Sequence, residues 1–226
     1  MPDPEILFED AHLIVLSKPA GLLSQGEHKG DPNLVDWLRV RLNRQYVGLV
    51  HRLDRNTSGI MVVAKRTKSA QRLTSALQDG KICRAYLAWV LGSVPEPVRW
   101  VHRLLKDETK NVVRVVSANN PQGREAVLNA KPLARGEWEG QVLTLLEITL
   151  ETGRSHQIRV QAAHEGVPLL GDKKYPGKGV VVRFVEEFQR PALHSFRLSF
   201  PHPMSGEVMS FEAALPADMA AITRRN

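Results

Sequence analysis

The first apolar run, within His12–Ser17, is rich in branched residues and stops at Lys18-Pro19, which predicts a buried strand. Beyond it, Leu34, Val35, Trp37, Leu38 and Leu42 recur with a 3.6-residue period. That spacing predicts a helix, with Asp31 as its N-cap and Pro32 at the first helical position. Arg39, Arg41 and Arg44 fall largely off the apolar stripe. Gly59–Lys65 reads as a second apolar strand. Thr67 is expected to cap a second helix that turns Ala70, Leu73, Ala76 and Leu77 inward and closes at Gly80. Ile82–Leu91 reads as a strand, and residues 97–150 as several antiparallel strands, among them Val112–Val116, Ala126–Leu133 and Val142–Leu150. A short helix is expected from Ser155 to Gly166, then strands over Ala192–Phe200 and Glu207–Ala213, and a frayed helix over Asp218–Asn226. Strands outnumber helices and do not alternate with them, so the pattern predicts an α+β fold with a mixed, mostly antiparallel sheet.

Composition narrows the picture. The 226 residues carry no internal repeat or low-complexity tract, and proline and glycine are dispersed, which favours one continuous domain over 1–226. The single cysteine, Cys83, excludes an intramolecular disulfide and any paired-cysteine zinc or redox motif. No paired short histidine spacing is present, so no metal is expected. The acidic start and the shortness of the apolar runs argue against a signal peptide and a membrane span, and point to a cytoplasmic protein. The net charge of +7 suits a polyanionic partner, nucleic acid first.

Two segments stand out chemically. Gly48–Gly59 lies between apolar strands and bunches His51, Arg52, Asp54, Arg55 and Asn56. Loops carried by rigid strands are common seats of catalysis. A carboxylate flanked by arginines suits a nucleophile or base, although a polar turn held by Asn56, Thr57, Ser58 and Gly59 accounts for the same residues. The second segment, Glu151–Gln161, leaves a strand, turns at Gly153 and enters a helix on which His156 and Arg159 share a face. A basic helix start suits phosphate or a partner carboxylate; a solvated helix end is the plainer reading. Tyr86, in Cys83–Trp89, reads as a packing residue, His194 as a core histidine, and Leu170–Gly177 as a charged turn. His51-Arg52-Leu53-Asp54 is not a kinase loop, since no glycine-rich phosphate loop or Asp-Phe-Gly accompanies it.

Six segments in order, from about residue 6 to 215, resemble the RluA-type pseudouridine synthases of the RsuA/RluA superfamily. They are Ser17–Leu22, His51–Asp54 with Thr57–Gly59, Arg84–Ala88, Thr152–Val160, Leu170–Asp172 with Tyr175, and Leu193-His194 with Phe200–Pro203. The resemblance implies a single catalytic domain built on a long, bent sheet. It implies isomerisation of uridine in tRNA or large-subunit rRNA, by a monomer, with no cofactor. By position, Asp54 resembles the catalytic aspartate, Arg159 the arginine that pairs with it, and Tyr86 the tyrosine that stacks on uracil and takes a proton. Arg52 resembles the residue that fills the gap left by the flipped base. The resemblance further implies substrate or RNA-binding positions at His51, Arg55, Thr57, Arg154, His156 and Ile158. Arg84 stands where relatives often carry lysine. The pattern begins too early to leave room for the S4 RNA-binding domain of many relatives, which makes the chain resemble the compact forms. Two other readings remain open: a catalytically silent RNA-binding relative, and a two-carboxylate glycosidase or nucleosidase, for which Asp172 is the second acid that can be named.

Overall fold

A computed structural model describes residues 3–26, 28, 30–177 and 188–223. The class is α+β, as the strand-rich pattern predicts, and the chain forms two compact units.

The first unit comprises Met1–Arg84 and Ser195–Ala214. Its strands are β1 (Glu5–Glu9), β2 (Leu13–Lys18), β3 (Gly48–Leu49) and β4 (Ser58–Ala64), followed late in the chain by β10 (Leu193–Pro201) and β11 (Val208–Glu212). β2 pairs antiparallel with β1 and β4, placing Val15 opposite Val62. β3 adds Gly48 and Leu49 against Ala64 and Val63, and β11 pairs antiparallel with β10. Residues at spacing two share a sheet face, so Leu13 and Val15, Ile60, Val62 and Ala64, and Leu198 and Phe200 build one core. Helix α2 (Thr67–Gln78) covers it with Leu73 and Ala76. β4 is buried along its whole length, which explains its unbroken apolar run.

Helix α1 (Leu34–Leu42) starts later than the Asp-Pro pair suggests. Asn33 is the N-cap, accepting from the Asp36 amide at 3.0 Å, while Asp31 accepts from the His28 amide instead. Arg66, not Thr67, occupies the cap position of α2, and no side chain caps it. Gly80 closes α2 with φ +70°.

Gly59 opens the antiparallel β4 ladder at φ +114°, and a Cβ there would overlap the Ser195 backbone. Gly59→Ala is therefore expected to cost more than about 4 kcal/mol, because neither the backbone angle nor the neighbour can relax cheaply. A urea midpoint within error of wild type would contradict this.

The second unit comprises Ala85–His194 and Leu215–Asn226. β5 (Cys83–Leu91) leads into it, followed by β6 (Val98–Asp107), β7 (Val112–Val116), β8 (Arg124–Trp138) and β9 (Gln141–Leu150), in the sheet order β5-β9-β8-β6-β7. β6 is a ten-residue strand that the apolar pattern does not single out, because its burial is mixed rather than alternating. β8 runs past its expected end at Leu133 by means of a bulge between Pro132 and Ala134, the place where a proline fits a ladder. Helix α3 (Gln157–His164) lays Val160 against Leu104, Val113, Ala126 and Tyr175. Helix α4 (Ala217–Thr223) matches the start of the expected tail helix; residues 224–226 lie outside the described part. Its Met219 carbonyl accepts from the buried Trp89 indole at 3.1 Å.

Candidate active site

In the first unit, His51, Arg52, Asp54, Arg55 and Thr57 share the loop between β3 and β4. Its backbone is held from several sides. Ser24 Oγ donates to the Leu53 carbonyl at 2.7 Å, and the Leu53 amide donates back at 3.1 Å. The Arg55 carbonyl accepts from Lys18 Nζ at 3.1 Å and from the Gly21 amide at 2.8 Å. Arg55 Nε donates to the Gly21 carbonyl at 3.1 Å, and the Thr57 amide to the Asp54 carbonyl at 3.1 Å. Asp54 is half-buried; Arg52 and Arg55 on either side of it are exposed, and Thr57 is buried.

Lys18 is the least expected part of this arrangement. It ends an apolar strand and is fully buried. Its ammonium also donates to the carbonyls of Leu22 at 2.8 Å and Pro19 at 3.0 Å. A buried ammonium is tolerated only when its donors are met by acceptors. The carbonyls of the Pro19–Leu22 turn and of Arg55 do this, so one cation ties the turn after β2 to the loop that carries Asp54. A lysine at the end of an apolar strand, followed by Pro-Ala-Gly, was the available sequence signal.

His51 is buried, and its Nε2 accepts from the Val62 amide at 3.3 Å. Burial, reinforced by the Arg84 charge, lowers its pKa to about 3. An unfolded chain binds this proton below pH 6.5, whereas the folded chain refuses it down to about 3. The resulting stability is therefore intact above pH 6.5 and falls by about 1.4 kcal/mol per unit as pH drops below it, a cumulative loss of roughly 5 kcal/mol by pH 3. Urea unfolding at pH 7.5 and pH 5 should show a wild-type loss roughly 2 kcal/mol larger than that of His51→Gln; equal losses would contradict the assignment.

In the second unit, Arg154, His156, Ile158 and Arg159 come together on the turn and first residues of α3. The helix starts at Gln157, after the expected Ser155, with His156 at the N-cap in the left-handed region, φ +53°. The Gln157 side chain reaches back instead, accepting from the Arg154 amide and Thr152 Oγ, both at 2.9 Å. Arg154 is exposed, and its Nε donates to the Glu125 carbonyl at 2.9 Å. Ile158 is buried.

His156 precedes the helix rather than sharing a helical face with Arg159, yet both side chains meet Tyr175. The Tyr175 hydroxyl accepts from the Val113 amide at 2.9 Å and lies 2.7 Å from His156 Nδ1, while the Arg159 guanidinium sits 5.1 Å from the ring centroid. Arg159 is buried and forks onto the fully buried Asp172, Nε to Oδ2 at 2.6 Å and Nη2 to Oδ1 at 2.8 Å. Asp172 Oδ1 accepts also from the Lys174 and Tyr175 amides, at 3.0 and 3.1 Å. The charged turn is thus a buried anchor. An Asp172 carboxylate without exposed surface and with its oxygens committed to donors does not fit the second acid of a hydrolase. Gly171, just before it, has φ +75°, and a Cβ there would overlap the Phe188 and Arg190 carbonyls. Tyr86 is buried on β5, opposite Ile148.

One group among the described residues gathers metal-type donors: His102, His164 and Glu165, within 4.8 Å of one another. Their sequence spacing did not suggest it, because β6 brings His102 to the end of α3. His102 Nδ1 faces Gln161 Nε2 at 3.0 Å, a group that only donates. The ring proton therefore sits on Nε2 and is directed at Glu165 Oε1, 2.9 Å away. Burial lowers the His102 pKa, with Glu165 opposing and His164 adding to the shift. The arrangement is a hydrogen-bonded group around a neutral imidazole, with its Nε2 lone pair taken by the proton.

Comparison with known proteins places these features in context. A sequence model of the RNA pseudouridylate synthase family matches residues 12–164. The ribosomal large subunit pseudouridine synthase D of Vibrio cholerae is 34% identical over 96% of this chain and 69% of its own length. Its counterpart in Xanthomonas campestris is 38% identical over 95% of this chain and 66% of its own. Among solved structures, human RNA pseudouridylate synthase domain containing 1 superposes with a TM-score of 0.79 at 23% identity, covering 94% of this chain and 83% of that one. Human RNA pseudouridylate synthase domain containing 4 gives 0.78 at 22% identity, covering 98% and 92%. These two share the fold. Among the described residues, no helix is long and apolar enough to cross a membrane.

Proposed function

The chain belongs to the RNA pseudouridylate synthase family and is an RNA pseudouridine synthase; from that premise we propose that it isomerises uridine in large-subunit ribosomal RNA, with Asp54 acting at the sugar. The observation that carries the chemical part is the loop itself. It holds a half-buried carboxylate between two exposed arginines, on a backbone pinned by Ser24, Lys18 and Gly21. The ribosomal substrate rests on the names of the bacterial relatives.

The reaction exchanges bonds without redox change. The N1–C1′ bond breaks, the uracil turns, C5 bonds to C1′, the C5 proton leaves, and N1 takes up a proton. Asp54 acts at C1′ as nucleophile, or abstracts the C2′ proton in a glycal route. Tyr86 stacks on the uracil and accepts the C5 proton, and Arg159 is the third catalytic group carried over by resemblance. A uridine inside a helix must leave the stack first, at a cost of a few kcal/mol. Arg52 is exposed and planar, which suits it to replace the lost stacking. The remaining basic surface holds the RNA backbone by counterion release.

The test is tritium release from RNA labelled at uridine C5, with separate pools of large-subunit rRNA and tRNA. Release from the rRNA pool supports the proposal. Release from the tRNA pool alone would keep the chemistry and overturn the substrate. Tight binding without release from either pool would favour a catalytically silent RNA binder.

A further inference from the structure

We infer that His51 is a positioning residue for Asp54, closing a gap in the β4 ladder so that the Asp54 loop can leave the sheet at a fixed point. This rests on the catalytic reading of Asp54 and goes beyond the RNA-contact role that the family resemblance implies for His51.

One edge of β4 carries the gap. Val62 lies opposite Val15 of β2, yet its amide donates to His51, so that N–H points away from β2. On the same edge, Ala64 and Val63 are covered by Gly48 and Leu49 of β3. Two residues before Val62, the Ile60 carbonyl accepts from Ser195 Oγ of β10 at 3.1 Å. Strand β3 therefore stops one step short of Val62, and at Ile60 the carbonyl is met by the Ser195 hydroxyl. The Val62 amide sits in between, is buried, and donates to the His51 ring. A buried amide needs an acceptor. The His51 imidazole supplies it from the second residue of the loop, where a continued strand would have supplied a carbonyl. Were β3 to continue, residues 51–54 would lie in the sheet and Asp54 could not stand on a loop.

The side chain suits this task. His51 Nδ1 has no hydrogen-bond partner among the described residues, so the ring is committed to a single contact. Its neutrality, set by burial and the nearby Arg84 charge, keeps Nε2 available as an acceptor at working pH. Downstream, the Leu53 and Arg55 backbone is held by Ser24, Lys18 and Gly21. His51 is thus the upstream anchor and those residues the flanking ones, with Asp54 between them.

The experiment compares wild type, His51→Leu, which removes the acceptor, and His51→Gln, whose amide oxygen can replace it. Three quantities are read: single-turnover tritium release, RNA affinity, and hydrogen exchange at the Val62 amide. His51→Leu is expected to lower turnover on bound RNA by roughly 10- to 100-fold, with affinity unchanged and Val62 exchange accelerated, and His51→Gln to restore most of both. Unchanged turnover in a folded His51→Leu protein, or a loss explained by RNA affinity, would overturn the inference. Slow Val62 exchange in that variant would do so too, whatever the activity. If His51→Leu does not fold, His51→Gln decides: an active protein with protected Val62 supports the role, and a folded inactive one overturns it. A wild type that releases no tritium would overturn the reading of Asp54, and the catalytic part of this role with it.

Discussion

Asp54→Asn is expected to lower turnover by at least about 10³-fold, with RNA affinity essentially unchanged. The substitution keeps the size of the side chain and removes its charge and its nucleophilic oxygen. The loop backbone is held by Ser24, Lys18, Gly21 and His51, none of which uses the Asp54 carboxylate in the bonds described above, so the loop should keep its path. On the proposed reading, RNA affinity comes from the basic surface of a chain with net charge +7. Removing one carboxylate makes that surface no less positive. Tritium release on saturating RNA, with a filter-binding titration alongside, separates the two effects. Activity retained in the purified variant would remove Asp54 from the chemistry. A parallel loss of affinity would make it a binding residue instead.

Asp172→Asn is expected to produce the largest loss of stability outside the glycine positions, about 3–5 kcal/mol. Its side chain is fully buried and takes four hydrogen bonds, two from Arg159 and two from the amides of Lys174 and Tyr175. The amide of the variant would present N–H to the Arg159 Nε–H, donor against donor, and would remove the carboxylate charge that faces the buried guanidinium. At roughly 2–4 °C per kcal/mol for a chain of this size, the melting temperature should fall by about 10 °C. A shift of only 1–2 °C would mean that water or another group takes over the role. Because Arg159 depends on this anchor, Arg159→Ala has to be assayed well below its own melting temperature. There it is expected to lower turnover more than RNA affinity. The reverse pattern would assign Arg159 to phosphate.

The two candidate segments were legible because their chemistry is crowded into short windows. His51–Asp54, between two apolar strands, and Thr152–Val160, between a strand and a helix, concentrate charged and polar residues, and both sit where the pattern placed them. Helix starts were legible only to within two residues. Asp31, Thr67 and Ser155 all have capping chemistry, yet Asn33, Arg66 and His156 occupy the cap positions. A cap is chosen by where the chain enters the helix, and that is set by packing of Leu34, Leu73 and Val160 rather than by the capping residue itself.

Lys18 and Asp172 were present in the segments that carry the family resemblance, but their physical roles were not legible. A charged residue in a strand end or turn reads as solvated, because exposure is the default for lysine and aspartate. Burial becomes tolerable only when partners converge from elsewhere. For Lys18 one of them is Arg55, 37 positions away, and for Asp172 it is Arg159, 13 positions away.

By itself, then, the sequence determined what depends on neighbours along the chain: the strand and helix periods, the α+β class, the basic charge and the ordered motifs that mark the family. Tertiary structure decided what depends on distant residues meeting. It buried Lys18 and Asp172, turned His51 inward to complete the β4 edge, and brought His102 to the end of α3. The reason is energetic. Local pattern sets which face is apolar, but the cost of desolvating a polar group is offset only by specific donors and acceptors, and the fold alone determines which of them arrive.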